Sequence, residues 1–376
     1  MKIIVFNDSF FPKSHTFIYH QILGLSKFHE VVLLASEYQN EELFPINLNK
    51  IVTPRFLSFI ERIRRKYFYK HAKYTLNAKA YSAIKNALIT EKPDVIHAHF
   101  GFSGLLILPI AKLLNIPLIV SFHGIDASPA LLLHPAYRTG VTSLVNYCKQ
   151  IIIVSAHMYK TLNLQQSSSK VHLIPYGIHS DFFHNPNSNK QRNQLNILHS
   201  GRICNKKGVP DLIRTFLVLR NSYDNIQLTI IGYGKEMKLC KKIVSNSKFR
   251  ISVKFLYAQS QEVVRDQMMD ADIFVLNSRI ADNGDMEGTP VSILESMSMK
   301  LAVVSTFHAG IPEIISNEET GLLVQERNNA KLKDAIERLI LDKTLRYTLG
   351  ENARHRIIEK YTFNIMFEKL NSVFVS

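Results

Sequence analysis

Four side chains in this sequence have types and settings suited to chemistry on an anionic, hydroxyl-rich ligand: Glu287, Glu295, Arg202 and Lys207. The two glutamates lie in the stretch Asp282 to Glu295, DNGDMEGTPVSILE, which follows the apolar run Ile273 to Leu276. That run reads as a buried parallel strand, and Ser292 to Met297 reads as a helix. Thr289 is the expected N-cap, with Pro290 at the first helical position, where its missing N–H costs nothing. The stretch therefore joins the carboxyl end of a strand to the start of a helix. Open α/β sheets bind ligands at such junctions, and free N–H groups from Gly288 to Val291 would favour an anion there. Glu287, before the helix, suits one end of a ligand. Glu295, within it, suits hydroxyls at the other. Acidic residues near a helix N-terminus are also a common stabilising device, so the weight of this pair depends on the rest of the chain.

The cations follow the same pattern. Leu195 to His199 reads as a strand, and Ser200-Gly201-Arg202-Ile203-Cys204-Asn205-Lys206-Lys207-Gly208 as a loop opening a helix. Arginine grips phosphate oxygens with two donors, and lysine adds a compact charge. The loop is not a Walker A motif, since the glycine spacing differs and no Ser or Thr follows the lysine. His123 ends the strand Leu118 to Phe122 and is followed by Gly124, Ile125 and Asp126. His97 and His99 share a strand face, but no third ligand accompanies them, and no metal site is expected. Asp270-Ala271-Asp272 lies at the start of a strand, away from the ligand end, and reads as turn chemistry.

The elements that must position these residues are set by length and composition. A chain of 376 residues with 46% hydrophobic content suits two soluble domains. Three scattered cysteines imply a reducing compartment without a disulfide framework. No secretion leader is read at the start, where Lys2 to Phe6 is a strand, and Leu105 to Phe122 reads as a helix followed by a strand rather than a membrane span. The net charge of +15 calls for an anionic partner. No nucleic-acid recognition motif is present, which leaves anionic substrates or a membrane surface. Arg55 to Tyr74 mixes basic and aromatic residues, which suits either a solvated helix with a few packed aromatics or an interfacial helix, whose expected contacts with an anionic inner leaflet are Arg62, Arg64, Arg65 and Lys66.

The stretch EGTP followed by SILE, with Val303 to Thr306 and Gly310 to Ile314 beyond it, resembles the donor site of retaining glycosyltransferases of family 4. The family's G-R-x(4)-K-G pattern matches at Gly201, Arg202, Lys207 and Gly208, its H-G-x-D pattern at His123, and its I-G-x-G turn at Gly232-Tyr233-Gly234. The resemblance implies an α/β chain of the GT-B fold, two doubly wound Rossmann-like domains facing across a cleft. The expected boundaries are an acceptor domain over 1–185, a polar linker over 186–194, a donor domain over 195–361, and a tail, 362–376, that packs back on the first domain. Arg202 and Lys207 would hold the donor diphosphate beside Gly201, Gly288, Thr289, Pro290 and Val291. Glu287 and His123 would contact the sugar, and Glu295 the ribose. Ser14, Thr16, His99 and Asp126 are expected on the acceptor side, with helix capping the equal alternative for Ser14 and Thr16.

FPKSHTFI resembles the exopolysaccharide, colanic-acid-type branch, without the glycine pair usual in the first loop. Tyr176, Tyr257, Lys300 and Ala302 stand where the family has Asn, Gly, Gly and Pro. The expected activity is retaining, metal-independent transfer of a sugar from a nucleotide diphosphate sugar, with UDP first, to a lipid-linked or oligosaccharide acceptor in bacterial surface polysaccharide synthesis. It needs no cofactor, and the enzyme would lie in the cytoplasm against the inner face of the membrane. The alternatives are a GT-B nucleotide-sugar epimerase and a non-catalytic binding or docking subunit. A nicotinamide dehydrogenase lacks its third glycine.

Overall fold

The computed structural model describes residues 1–12, 15–56, 60, 74–128, 134–186 and 193–375. Nearly continuous runs of Val, Ile and Leu demand strands covered on both faces, which parallel sheets between helices provide. Two compact units result: residues 1–176 with 363–376, and residues 177–362.

The first unit contains β1 (Lys2–Phe6), β2 (Ser9–Phe10), β3 (Glu30–Ala35), β4 (Glu37–Tyr38), β5 (Asn49–Val52), β6 (Val95–His99), β7 (Leu118–Phe122), β8 (Gln150–Ile153) and β9 (Val171–Leu173). Seven of these form one sheet in the order β5-β3-β1-β6-β7-β8-β9, and β2 pairs with β4 separately. All pairings are parallel, with Val5 opposite both Leu33 and His97. Helices α1 (Thr16–Ser26), α2 (Gly101–Leu114) and α3 (Pro135–Tyr147) belong to this unit. So does the C-terminal helix, Phe363–Val375, whose Met366, Phe367, Leu370, Val373 and Phe374 enter the same core as Ile18, Ile22 and Leu25 of α1.

The second unit is a sheet of β10 (Leu195–Ser200), β11 (Ile226–Ile231), β12 (Val253–Phe255), β13 (Ile273–Val275), β14 (Ala302–Thr306) and β15 (Leu322–Val324). Its order is β12-β11-β10-β13-β14-β15, again parallel. Helices α4 (Val209–Arg220), α5 (Val291–Ser298) and α6 (Lys343–Lys360) flank it.

In both sheets the chain starts at a central strand, builds one side, and returns to build the other. The reversal falls between β1 and β6 in the first unit and between β10 and β13 in the second. Adjacent loops diverge at such a switch point and leave a crevice at the carboxyl ends of the strands. The loop after β10 carries Arg202 and Lys207, and the loop after β13 carries Glu287. Topology alone therefore brings the sequence-distant candidates of the second unit together.

Candidate functional site

The crevice at the ends of β10 and β13 gathers cations and free backbone N–H groups. Gly208 has φ +60°, and a Cβ there would lie 2.3 Å from the carbonyl oxygen of Asn277. Only glycine allows that approach between the two loops. Lys207, just before it, bonds Glu287 across the crevice, Nζ to Oε1 at 2.9 Å, with both side chains nearly buried. Lys206 holds the same loop through Asp285, 3.0 Å, and the Met286 carbonyl, 3.1 Å. Arg202 is exposed and makes no ion pair or hydrogen bond among the described residues. It is a cation left over for a ligand.

Helix α5 begins one residue later than the sequence suggested. Its N-cap is Pro290, not Thr289, and no side chain caps it. The N–H groups of Gly288, Val291 and Ser292 have no partner among the described residues. A proline N-cap leaves these donors and the positive end of the helix dipole to whatever enters the crevice. Gly201 behaves differently, because its N–H donates to the Ile231 carbonyl at 3.0 Å and belongs to the strand frame.

The two glutamates have opposite electrostatics. Burial pushes the Glu287 carboxyl upward, but Lys207 and Lys206 outweigh it and hold the group at about 2. Ser278 Oγ also donates to Glu287 Oε1 at 3.2 Å. The Glu287 backbone N–H donates to His308 Nε2 at 3.0 Å, and His308 Nδ1 meets Glu326 Oε1 at 2.6 Å. Since Nε2 accepts, Nδ1 carries the proton. Glu295 is buried on α5, its carboxyl without a hydrogen-bond partner among the described residues, and burial alone raises it to about 7. One carboxylate is fixed as an anion and the other is held in reserve. Ser278, His308 and Glu326 escaped the sequence reading. The signal for His308 was its place just beyond the end of β14, beside the switch point.

In the first unit a chain of rings surrounds His123. Its Nε2 meets His99 Nδ1 at 3.0 Å, and its Nδ1 meets the Tyr176 hydroxyl at 2.8 Å. Phe17 lies 5.0 Å and Phe100 4.7 Å from it, centroid to centroid. Burial holds His99 and His123 far below the usual imidazole range, so both are neutral. With both ring nitrogens engaged, the His123 imidazole reaches a sugar only by exchanging a partner. Tyr176, at the position where the resemblance expects Asn, is thus tied to this histidine.

Asp126, expected on the acceptor side, is fully buried. Its carboxylate accepts the N–H groups of Gly101, His123 and Gly124 at 2.9, 2.9 and 3.1 Å. It fastens the turn after β7 to the start of α2. Burial raises it to about 6, against the pull of those N–H groups. His99 is likewise buried, with Nε2 unpartnered among the described residues. Thr16 opens α1 behind an N-cap of His15 that makes no side-chain cap. Ser14, Arg62, Arg64, Arg65 and Lys66 lie outside the described residues. Asp272 accepts the Asn196 N–H at 2.8 Å, as turn chemistry requires. No metal-binding cluster occurs among the described residues, and none of the described helices is long and apolar enough to cross a membrane.

Two Rossmann-like units, each with a crevice at its switch point, make the GT-B fold. Family models described as Glycosyl transferases group 1 and Glycosyltransferase Family 4 match residues 181–356 and 14–182. The chain belongs to glycosyltransferase family 4 and is a hexosyltransferase. It is 28% identical over 283 residues to the amylovoran biosynthesis glycosyltransferase AmsK of Erwinia amylovora, covering 74% of this chain and 69% of that one. Over 403 residues it is 24% identical to the putative colanic acid biosynthesis glycosyltransferase WcaL of Escherichia coli K12, with 99% of each covered. Among solved structures, Anabaena Alr3699/HepE in complex with UDP-glucose superposes with a TM-score of 0.79 at 15% identity, over 100% of this chain and 99% of that one.

Proposed function

We propose that this glycosyltransferase moves a hexose from a nucleoside diphosphate sugar, UDP-linked in the first instance, to a lipid-linked or oligosaccharide acceptor in bacterial surface polysaccharide synthesis, with retention of configuration and without a metal. The convergence of a free Arg202, a Lys207–Glu287 pair and the unpartnered N–H groups of α5 on one crevice supports the reading. Loss of the diphosphate builds negative charge on the leaving oxygens while the anomeric carbon becomes cationic. Preorganised cations and helix N–H groups stabilise that leaving charge without reorganising. Lys207 would turn from Glu287 to the phosphates, and Glu287, freed on one side, would take sugar hydroxyls. Glu295, unpartnered, would receive the ribose hydroxyls. His123 is assigned to the sugar by the family resemblance. The polysaccharide setting follows the printed roles of AmsK and WcaL, and the UDP preference the ligand of the Anabaena structure.

The test is thermal shift with UDP-, GDP- and ADP-sugars in EDTA, with Glu295→Ala as control. Selective stabilisation by one nucleotide, lost in the variant, is expected. No stabilisation by any of them would overturn the reading.

A further inference from the structure

His199, in β10, is fully buried beneath the crevice. Its Nδ1 lies 3.0 Å from the Val275 carbonyl. A carbonyl only accepts, so Nδ1 carries the proton and Nε2 presents a bare lone pair. That Nε2 is buried and has no hydrogen-bond partner among the described residues. Burial, with lesser contributions from its neighbours, brings the imidazole down to about 4, so the lone pair is present at neutral pH. A buried acceptor left unsatisfied is costly, and such a group calls for an explanation.

The geometry names its partner. A Cβ built on Gly201 would lie 3.7 Å from His199 Nε2 and also 3.7 Å from Lys207 Cε. The imidazole nitrogen and the end of the lysine therefore border the same space beside Gly201. Diphosphate oxygens are acceptors and offer this lone pair nothing. The Lys207 ammonium has three N–H groups, and in this structure the side chain it bonds is Glu287.

We propose that His199 is the positioning residue for Lys207 in the nucleotide-bound state. As a diphosphate draws the ammonium from Glu287, His199 Nε2 accepts one N–H, the others turn to phosphate oxygens, and Glu287 is released towards the sugar. The imidazole thus sets the direction of the cation without touching the ligand. This inference rests on the reading of the crevice as a nucleoside diphosphate site.

The test is a calorimetric cycle with UDP, GDP and their nucleosides on the full chain. His199→Asn keeps an amide N–H for Val275 and removes the acceptor at Nε2. His199→Gln returns an acceptor near that place. His199→Asn is expected to weaken binding of the preferred diphosphate about tenfold, the loss of roughly one hydrogen bond to a charged group, and to leave the nucleoside's affinity unchanged. His199→Gln should recover part of the loss, and in a Lys207→Ala background His199→Asn should add nothing. Wild-type affinity in His199→Asn, or an undiminished loss in the Lys207→Ala background, would overturn the proposal while leaving the donor site standing. A wild-type chain that binds neither diphosphate would overturn the donor reading itself, and this one with it.

Discussion

Glu295 and the two cations make separable demands on stability and turnover. For Glu295 the folded-state value of about 7 lies above the ordinary 4.5 of a free glutamate. The folded chain therefore binds the extra proton between those values, and stability falls as pH rises through that window. Glu295→Gln should remove the fall and raise unfolding free energy at pH 8 by on the order of 3 kcal/mol. Urea titrations at pH 4.5 and pH 8 check this, and equal pH slopes in wild type and variant would refute it. Arg202 is exposed and unpaired, so Arg202→Ala should leave the melting temperature unchanged. It should nonetheless lower kcat about a hundredfold, the scale of losing one oxyanion donor. Lys207→Ala should lower kcat similarly and also destabilise the protein, by roughly 3 kcal/mol or more, because Glu287 stays buried without its nearest countercharge. Near-normal turnover in both variants would remove these cations from the mechanism. The meeting of Arg202, Lys207 and Glu287 at one switch point was legible because loop cations and helix-start carboxylates carry a local pattern. The opposite titration of Glu287 and Glu295 was not legible, since burial and partner choice are properties of the folded crevice.

The elements show where local sequence suffices. Strands buried on both faces announce themselves as apolar runs, and β1 begins at Lys2 and ends at Phe6 as read. Helix α5 was misplaced by one residue because Thr-Pro reads equally well with either residue as the cap. Two departures from the family gain a physical meaning. Tyr257 and Lys300, where glycine is usual, both adopt left-handed backbone, with φ 49° and 63°. Each is held by side-chain contacts a glycine could not make: Tyr257 with Lys241 4.9 Å from its ring centroid, and Lys300 with Glu351 at 2.9 Å. At Gly208 no such compensation is available, since a Cβ would strike the Asn277 backbone. Gly208→Ala should therefore cost about 2–4 kcal/mol through left-handed strain and displacement of the loop after β13. Nucleotide affinity should fall with it. A wild-type urea midpoint would show that the two loops yield independently of this contact.

At the scale of the whole chain, the division falls at Tyr176 and Gly177, ahead of the polar run 186–194 that composition marks. The cause is long-range. Ile178 N–H donates to the Tyr361 carbonyl at 2.9 Å, and Arg354 Nη1 donates to the carbonyls of Ser180 and Phe183 at 2.8 and 2.9 Å. Residues 177–183 are thereby tied to the second unit by partners more than 170 positions away. No local pattern reports such ties. The C-terminal helix poses the converse case, sequence-distant from the unit whose core it completes. Its Phe367 ring lies against Gly24 of α1, where a Cβ would come within 2.2 Å of the ring. Met366, Leu370, Val373 and Phe374 are buried beside it. Full burial of each such side chain contributes about 1.5–3 kcal/mol, so the helix supplies on the order of 10 kcal/mol, comparable with the entire stability of a domain. Truncation after Thr362 should therefore abolish slow amide exchange in β1 and β3 while β10 and β13 remain protected. Hydrogen-exchange mass spectrometry of the truncated chain decides the matter. Undiminished protection of β1 and β3 would mean that the first unit's core closes without the helix, and that Phe367 and its neighbours only cover a structure already formed.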